Sequence, residues 1–231
     1  MSLKRLNKFL SHAGIASRRK VEELILNNKV KVNNVITNDL STKIDSSKDK
    51  VTINNKLIKE QQKLYFILNK PKGYLCSNQR KDDEKLVIDL FENFNERLFT
   101  VGRLDKDTTG LIMVTNDGDA ANKIIHPSSN IEKEYLIKIK ESIKDTDLKK
   151  ISKGCFVENQ FIKPKSVKKI RNGTLKIIIT EGKKREIRIM IKKANLSLIS
   201  LSRIRVGNLK LGSLEIGFFK QVKLNDLLKV F

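Results

Sequence analysis

Residues 101–111 read VGRLDKDTTGL and lead into the apolar residues 111–114 (LIMV). Apolar residues on both sides of a short charged segment predict two strands joined by a rigid corner. Asp105 lies on this corner, two residues after Arg103. A carboxylate held beside basic groups, in a chain of formal charge +22, suggests a chemical role beyond solubility. We therefore take Asp105 as a candidate nucleophile.

The corner carries two acids, Asp105 and Asp107, which would share one side of an extended segment. Such a pair can act in general acid–base catalysis or bind a metal ion, although the intervening Lys106 and the lack of further nearby carboxylates disfavour a metal. A single ionised aspartate acting as nucleophile is the remaining chemical interpretation, with Arg103 keeping it ionised or contacting the substrate. A charged hairpin loop closed by Gly110 explains this stretch equally well by itself.

An excess of basic residues dominates the composition, with 48 Lys and Arg against 26 acids. A nucleotide bias of the genome can inflate lysine throughout a chain, but here the excess is clustered. Residues 163–210 hold fifteen Lys and Arg against two acids, and residues 1–60 hold thirteen against six. Such clusters favour nucleic acid as partner, because each neutralised phosphate releases counterions. A membrane is not expected, since neither a basic amphipathic helix nor about 20 consecutive apolar residues occur.

Metal, redox and targeting signals are weak in this sequence. His12, Cys76, His126 and Cys155 lie far apart, without zinc-ligand spacing. No glycine-rich phosphate loop or dinucleotide fingerprint is visible. Residues 1–5 lack the apolar run of a signal peptide. We therefore expect a cytoplasmic protein with two reduced thiols.

Residues 1–60 are predicted to form a small separate domain with two helices and a few strands. Leucines at helical spacing predict a first helix that contains Leu3, Leu6 and Leu10. Gly14 is placed to end this helix in a left-handed cap, and Ser17 suits the N-cap of a second helix. Alternating runs at residues 29–32 and 50–53, each followed by two asparagines, predict strands and turns.

The second helix would begin with three basic residues, Arg18, Arg19 and Lys20. Positive charge at a helix N-terminus opposes the helix dipole, so stability does not explain these residues. A phosphate is attracted by both the dipole and the side chains, and we expect these residues to bind one. A helix surface with solvated charges is the alternative.

A polar linker at residues 60–63 (EQQK) leads to a second predicted domain, residues 64–231. Strands are expected at residues 64–68, 134–139, 174–180 and 196–206 and near Phe218. Helices are expected after a tight turn at residues 115–119 and through Ile125, over residues 187–194, and from residue 225. This order predicts an α+β fold, in which a mixed, largely antiparallel sheet packs against a few helices.

A group of basic residues and one tyrosine in this domain are further candidates for a site. Arg185, Arg188 and Lys192 are three and four residues apart and would form a basic strip on one helix face. This strip suits phosphate or an acid in a cleft, with a solvated face as the alternative. Tyr135 alternates with the isoleucines that follow it and would point inward. An inward tyrosine is usually core, but it can line a pocket where a base stacks.

Five motifs run in order through the second domain: Asn69-Lys70-Pro71-Lys72-Gly73, residues 102–111, Thr115-Asn116-Asp117-Gly118, Glu132-Lys133-Glu134-Tyr135, and Glu181-Gly182 followed by Arg188. Together they resemble the RNA pseudouridine synthases, in the branch related to the small-subunit enzyme RsuA. The segment 201–207 is similar to this family's next strand. Residues 11–20 and 31–34 resemble the alpha-L RNA-binding domain, which this branch carries and which would cover residues 1–60.

The resemblance implies an isomerase, an intramolecular transferase that converts uridine to pseudouridine in ribosomal RNA without metal or cofactor. Asp105 would attack the target uridine, at the base or at the ribose, so that uracil detaches, turns and rejoins through carbon 5. Tyr135 would stack on the flipped uracil and assist removal of the carbon-5 proton. Arg188 would pair with Asp105 and keep it ionised. Arg103 would hold the flipped nucleotide or fill the space that it leaves.

The remaining implied contacts to RNA come from basic residues of both domains: Arg18, Arg19, Lys20, Lys70 and Arg185. One segment departs from the family pattern. A His-Gln pair and a second arginine are usual where this chain has Arg185, Glu186 and Ile189. We therefore expect RNA contacts or target choice to differ near this helix.

Residues 11–20 are most similar to the large-subunit branch, so the expected target is a uridine of 23S rRNA, with 16S rRNA as runner-up. The substrate would be free ribosomal RNA or a pre-ribosomal particle, and the protein a monomer. A non-catalytic rRNA-binding or ribosome-assembly factor is the alternative, but such a binder has no need of Asp105, Tyr135 and Arg188 together. A nonspecific basic binder explains the charge and leaves the motifs unexplained.

Overall fold

The computed structural model describes residues 3–231; Met1 and Ser2, which belong to the predicted first domain, lie outside this range. The chain divides into two compact units. Unit 1 contains the residues up to Leu64 together with Asn93–Leu98 and Asn116–Gly118. Unit 2 contains Tyr65–Glu92, Phe99–Thr115 and Asp119–Phe231. Two short segments C-terminal to the expected linker thus belong to unit 1.

Unit 1 contains short helices and strands that follow one another closely along the chain. They are β1 (Lys4–Arg5), α1 (Leu6–His12), α2 (Arg18–Leu26), β2 (Val30–Val32), β3 (Val35–Thr37), β4 (Lys43–Ile44), β5 (Val51–Ile53) and β6 (Lys56–Leu57). Strands β3, β2, β5 and β6 form an antiparallel sheet in that order, and β1 pairs with β4. The buried core includes Leu6, Phe9, Leu10, Val21, Ile25, Val30, Ile44 and Val51.

Helix α1 ends in the left-handed cap that its sequence predicts. Gly14 has a φ of +80°. Its N–H donates to the Ser11 carbonyl, and the N–H of Ile15 donates to the Leu10 carbonyl. These two bonds form a Schellman motif, which satisfies the last carbonyls of the helix. Glycine adopts this backbone conformation without the penalty that a side chain imposes.

The beginnings of the two helices differ in how well the sequence predicts them. Helix α2 is capped as expected, because the Ser17 side chain accepts a hydrogen bond from the Lys20 N–H. The prediction that Leu3 belongs to the first helix is wrong. Leu3 is 63% exposed, and β1 pairs with β4 before α1 begins at Leu6. Pairing with a strand about 40 residues away therefore precedes the helix, and the spacing of nearby leucines cannot indicate such pairing.

Paired asparagines form two tight turns of unit 1. Asn33 and Asn34 join β2 to β3 with φ angles of +50° and +68°, and Asn54 and Asn55 join β5 to β6 with +50° and +62°. Two consecutive left-handed residues match the twist of a β-hairpin, and asparagine tolerates this conformation better than most residues. Both predicted turns are confirmed.

The later strands are β7 (Tyr65–Lys70), β8 (Phe99–Val101), β9 (Thr109–Thr115), β10 (Lys133–Ile139), β11 (Cys155–Val157), β12 (Gln160–Ile162), β13 (Ser166–Arg171), β14 (Thr174–Ile179), β15 (Leu198–Val206), β16 (Leu209–Lys210) and β17 (Phe219–Gln221). The later helices are α3 (Gly118–Ile125), α4 (Asp145–Lys153), α5 (Glu186–Lys193) and α6 (Leu224–Leu227). Short 3-10 helices occupy Val87–Phe91, Pro127–Ser129 and Leu228–Val230.

A nine-stranded sheet forms the centre of unit 2. Its main path is β13-β14-β10-β15-β9-β7-β17, with β16 beside β15 and β8 beside β9. Strands β9 and β15 are parallel and the other neighbours are antiparallel. The predicted α+β class and the mixed, largely antiparallel sheet are confirmed. The separate hairpin of β11 and β12 lies outside this sheet.

Gly110 permits the parallel pairing at the centre of this sheet. It has a φ of +106° and lies opposite Arg203 of β15. A Cβ at this position would come within 2.3 Å of the Arg203 carbonyl oxygen. Any side chain would therefore push the two strands apart. Strand β9 begins at Thr109 instead of the predicted Leu111, so the loop that carries Asp105 is short and anchored on both sides.

The region between residues 140 and 173 contains elements that the sequence pattern does not predict. Strand β13 forms one edge of the sheet and is largely exposed, with Lys168, Lys169 and Arg171 among its side chains. Charged side chains on an edge strand hinder pairing with other chains. The same charges remove the apolar alternation by which a strand is recognised.

Candidate active site

A cavity of about 850 Å³ opens in unit 2 beside the loop between β8 and β9. This volume is typical of pockets that hold a small organic ligand. The predicted catalytic residues Asp105, Tyr135 and Arg188 all line it, although they come from three separate elements. Arg103 and Arg185, from the predicted substrate-binding set, line it as well. The fold thus brings together residues that are up to 85 positions apart in sequence.

Asp105 and Arg188 form an ion pair in this cavity. The Arg188 Nε atom lies 3.5 Å from the Asp105 Oδ2 atom, and Arg188 Nη2 donates to the Thr108 hydroxyl at 3.1 Å. The side chain of Arg188 is 18% exposed and that of Asp105 is 34% exposed, so water screens the pair less than it screens surface charges. Arg188 therefore holds both the carboxylate and the end of the loop that carries it.

Hydrogen bonds to Cys76 and Gly73 hold the backbone on either side of Asp105. The N–H of Leu104 donates to the Cys76 sulfur at 3.3 Å. The N–H of Gly73 donates to the Lys106 carbonyl at 2.8 Å. Both contacts come from the segment after β7, which contains the end of the motif at residues 69–73. This segment therefore supports the loop and explains why this motif and the Asp105 motif belong to one site.

Lys70 reinforces the same loop and is fully buried. Its Nζ donates to the carbonyls of Pro71 at 2.9 Å and Lys106 at 3.3 Å. Burial lowers the pKa of Lys70, against the opposing effect of Cys76 and the nearby carboxylates. Lys70 is absent from the residues that line the cavity. In this structure Lys70 therefore contacts the loop and not the cavity, and the contact of Lys70 with substrate stays a prediction.

Tyr135 enters the cavity from β10 and is 8% exposed, as its alternation predicts. Burial raises the pKa of its phenol, and the charge and hydrogen bond of Arg203 oppose this rise. The phenol therefore stays protonated at neutral pH. Arg203 faces Tyr135 from β15 and also donates through Nε to the Leu111 carbonyl at 2.8 Å. It thereby connects Tyr135 to the strand that follows the Asp105 loop.

Two acids beside Tyr135 stabilise the sheet. Arg205 donates to Glu134 at 2.7 Å and to Glu132 at 3.1 Å, and Lys176 lies 3.1 Å from Glu134. The pairing of β10 with β15 shifts register between Glu134 and Tyr135. These ion pairs lie directly before the irregularity and hold the adjoining part of β10 against its neighbouring strands.

Glu186 is the first residue of α5 and also lines the cavity, with 4% of its surface exposed. Burial raises the pKa of this carboxyl to about 7. Its Oε2 atom is buried without a hydrogen bond in the structure. Glu186 is one of the positions, with Arg185 and Ile189, near which the sequence analysis expects RNA contacts or target choice to differ.

The remaining candidates for substrate binding are exposed basic residues. Arg103 and Arg185 lie at the cavity, and Arg185 precedes α5 with a φ of +58°. Arg18, Arg19 and Lys20 form the exposed first turn of α2, on unit 1. Lys192 is exposed on α5 and does not line the cavity. Two of the three residues in the predicted basic strip, Arg185 and Arg188, therefore line the cavity.

Arg203 is a site residue that sequence reasoning missed. It is 5% exposed and shares the inward phase of β15 with Leu201. An arginine among the inward-facing residues of a strand could have indicated a site residue, because a buried charge requires specific partners. Thr108 was missed as well, and its contact with Arg188 depends on packing between elements 80 positions apart.

Metal sites and membrane spans were searched over residues 3–231. Within this range no three His, Cys, Asp or Glu side chains come together as a metal-binding group. Nor does any helix of the described chain have the length and apolar character needed to cross a membrane. Cys76 and Cys155 are free thiols, and burial raises the pKa of each.

Comparison with known families gives the class of the protein. The sequence profile described as RNA pseudouridylate synthase matches residues 64–193, and that of the S4 domain matches residues 4–51. The two matches define an RNA-modifying enzyme with an additional RNA-binding domain. The chain belongs to the RNA pseudouridylate synthase family, in the RsuA-related branch, whose members are isomerases.

Individual relatives agree with this assignment. The chain is 37% identical over 207 residues to ribosomal large subunit pseudouridine synthase B of Bacillus subtilis, a match that covers 87% of this chain and 84% of that protein. A chloroplast protein of Arabidopsis thaliana is 43% identical over 221 residues, or 87% of this chain, which spans about half (54%) of that relative. A crystal structure of a pseudouridylate synthase matches with a TM-score of 0.70 at 27% identity, covering 98% and 99% of the two chains.

Proposed function

We propose that this protein isomerises a specific uridine of ribosomal RNA to pseudouridine, with Asp105 as the nucleophile. The observation that carries the proposal is the cavity in which Asp105 meets Arg188 and Tyr135. The name of the Bacillus subtilis relative favours the large subunit, so 23S rRNA is the proposed substrate and 16S rRNA the alternative. Free rRNA and a pre-ribosomal particle are both accessible substrates under this proposal.

The proposed reaction exchanges one glycosidic bond for another. The bond between uracil N1 and ribose carbon 1 breaks, the base turns, and a bond forms between carbon 5 and ribose carbon 1. The carbon-5 proton leaves, and N1 ends protonated, so the composition of the nucleotide does not change. Asp105 adds covalently to the ribose or the base; an ester at ribose carbon 1 breaks as carbon 5 bonds to that carbon, whereas an adduct to the base is released afterwards.

Arg188 and Tyr135 support this step in different ways. The guanidinium of Arg188 holds the Asp105 carboxylate and, through Thr108, the end of its loop. Tyr135 is buried and protonated, so we propose that it stacks against the flipped uracil and does not act as a phenolate base. Removal of a base from its stack costs a few kcal/mol, which contacts to the nucleotide must offset.

Basic residues are proposed to supply those contacts. Arg103 and Arg185 are exposed at the cavity and present planar guanidinium groups suited to phosphate. Arg18, Arg19 and Lys20 are proposed to bind the RNA backbone at the start of α2. The division of labour follows the proposed domains, with RNA binding in residues 1–60 and isomerisation in residues 64–231.

The protein is proposed to act as a monomer. The cytoplasm is the proposed compartment, in keeping with two free cysteines. A comparison of pseudouridine maps tests the function. Mapping of 16S and 23S rRNA from cells with and without this gene is expected to show loss of one 23S site, restored by the wild-type gene. Identical maps in both cells would contradict the proposal.

A further inference from the structure

The hairpin of β11 and β12 exposes two phenylalanines on one face. Phe156 lies directly opposite Phe161, and the two residues are 62% and 54% exposed. Their rings lie edge to face, with centroids 5.4 Å apart. Neither residue lines the cavity of the proposed active site. The pair therefore forms a separate apolar surface that is open to solvent.

The other face of the hairpin is buried, and this fixes the direction of both rings. Cys155, Val157 and Ile162 are at most 8% exposed, and helix α5 packs against β11. Alternate residues of a strand point to opposite faces, so the buried side chains hold Phe156 and Phe161 outward. An aromatic pair across two strands also stabilises a hairpin, but the buried face already anchors this one.

Three exposed lysines lie near the base of this hairpin. The Lys193 ammonium, at the end of α5, donates to the Phe156 carbonyl at 3.3 Å. Lys153 is the last residue of α4 and precedes Gly154. The backbone of Gly154 lies against the end of β12, because a Cβ at this position would come within 2.9 Å of the Lys163 Cα atom. The fold therefore gathers positive charge beside the two rings.

The charge of the hairpin itself is confined to its tip. Glu158, in the turn between β11 and β12, is the one acid among residues 155–162 and is exposed. Lys153 and Lys193 lie in the last turns of their helices, where a cation also complements the helix dipole. Lys163 follows a strand and has no such role. A polyanion is therefore attracted to the base of the hairpin and repelled from its tip.

Exposed aromatic faces beside basic groups match single-stranded RNA, because bases stack on the rings while the basic groups neutralise phosphates. We propose that Phe156 and Phe161 stack against unpaired bases of the rRNA. Lys153, Lys163 and Lys193 bind the adjoining phosphates. Duplex RNA does not fit this surface, since its bases are already stacked on one another. The inference rests on rRNA as the proposed substrate and adds a contact outside the cavity and α2.

Helix α5 connects this surface to the cavity. Arg188 lines the cavity, and Lys193 of the same helix contacts the hairpin. The two positions are about 8 Å apart along the helix axis, at 1.5 Å per residue. One RNA strand can therefore occupy both places, with its target uridine in the cavity and unpaired neighbouring bases at the hairpin.

The absence of tryptophan from the chain allows a direct test of stacking. Phe156→Trp introduces a single reporter whose fluorescence is quenched when a base stacks on it. Phe231→Trp, at another exposed phenylalanine (57%), is the matched control. Each variant is titrated with an oligoadenylate of about 12 nucleotides, with an RNA duplex of equal charge and with inorganic polyphosphate. We expect the oligoadenylate alone to quench Phe156→Trp, and none of the three to quench Phe231→Trp.

Affinity for the oligoadenylate separates stacking from general attraction. The double variant Phe156→Val, Phe161→Val keeps side chains suited to strands but removes the rings, and its Kd should rise at least about tenfold. The double variant Phe156→Tyr, Phe161→Tyr keeps both ring faces and should stay within about threefold of the wild type. Lys153→Gln with Lys163→Gln should reduce the slope of log Kd against log salt by about 1.

The proposed reaction is followed separately, by tritium release from 23S rRNA transcripts whose uridines carry tritium at carbon 5. The valine double variant should raise KM about tenfold and leave kcat unchanged, because the rings lie outside the cavity. Absence of tritium release by the wild type overturns the proposed function. Binding of the oligoadenylate does not depend on turnover, so the hairpin is still judged by its own result.

The contrary results are equally definite, provided that circular dichroism shows folded variants. Wild-type affinity in the valine double variant overturns the inference and leaves the rings to a protein partner or to the stability of the hairpin. Equal losses in the tyrosine and valine variants also overturn it, because ring faces would then not be the contact. Quenching by polyphosphate, or equal quenching of Phe231→Trp, would show attraction without stacking and overturn it as well.

Discussion

The two units of this protein use charge in opposite ways. In unit 2, three basic residues that support the site are buried or half-buried and bound to specific partners: Lys70 to backbone carbonyls, Arg188 to Asp105 and Thr108, and Arg203 to the Leu111 carbonyl. In unit 1, the basic first turn of α2 is exposed to solvent. Buried charges require exact partners and fix geometry, whereas exposed charges attract a polyanion with little geometric demand. The comparison separates the chemistry of the protein from its affinity for RNA.

In unit 2, removal of the Arg188 guanidinium is expected to cause a large loss of activity, because the Asp105 loop would lose a buried partner. Arg188→Met deletes the partner of Asp105 and the donor to Thr108, and we expect kcat/KM for tritium release to fall at least about 100-fold. Arg188→Lys keeps the charge but not the forked geometry, so its kcat/KM should lie between that of the wild type and that of Arg188→Met. A Met variant with near wild-type turnover would show that the ion pair is dispensable.

Neutralisation of the exposed turn should instead change affinity. The triple variant Arg18→Ala, Arg19→Ala, Lys20→Ala is expected to weaken rRNA binding about tenfold at moderate salt and to reduce the slope of log Kd against log salt by about 2 to 3, with kcat unchanged. A matched triple variant at the exposed residues Lys43, Lys48 and Lys59 controls for net charge. Equal losses in the two triple variants would mean that α2 offers only general attraction.

Glu186 allows the energetic cost of a buried acid to be measured without RNA. Its pKa is raised to about 7 in the folded protein, so the folded state binds this proton more tightly than the unfolded chain. The wild type should therefore lose stability as pH rises from about 4.5 to 7, by roughly 3 kcal/mol at most. Glu186→Gln lacks this loss, and its melting temperature should exceed that of the wild type by a few degrees at pH 8 but not at pH 5. A difference that is the same at both pH values would contradict burial as the cause.

Metal removal is expected to have the smallest effect. Prolonged treatment with a chelator should leave tritium release unchanged, since the proposed step uses Asp105 and needs no metal-bound nucleophile. The measurement is kcat/KM before and after dialysis, with added Mg²⁺ as a control for RNA folding. A loss that a divalent ion restores to the enzyme, at constant RNA structure, would require a revised mechanism.

Local signals in the sequence predicted much of the framework. The glycine cap of α1, the Ser17 cap of α2 and the paired asparagines depend on nearest neighbours, so they could be read directly. The inward direction of Tyr135 followed from alternation along β10. Leu3 was misassigned because the pairing of β1 with β4 involves residues about 40 positions away.

The site was harder to predict where burial reverses the usual behaviour of a charged residue. A lysine in this motif suggests a phosphate contact, yet the Lys70 ammonium is buried and donates hydrogen bonds to the Pro71 and Lys106 carbonyls. Arg203 and Glu186 are buried against the cavity; alternation along β15 could have indicated the direction of Arg203, whereas spacing does not mark Glu186. The contact of Arg188 with Thr108 joins two elements whose proximity is set by the order of strands in the sheet. Such contacts depend on topology, which local periodicity does not contain.

The central claim is that one of two neighbouring carboxylates performs the chemistry. Asp105 lines the cavity and pairs with Arg188, whereas Asp107 is exposed two residues later and does not line the cavity. Tritium release and rRNA affinity should be measured for Asp105→Asn and for its matched control Asp107→Asn. The account predicts that Asp105→Asn loses at least about 1000-fold in turnover while its Kd stays within about threefold, and that Asp107→Asn retains turnover. Retained turnover in a folded Asp105→Asn variant would contradict it.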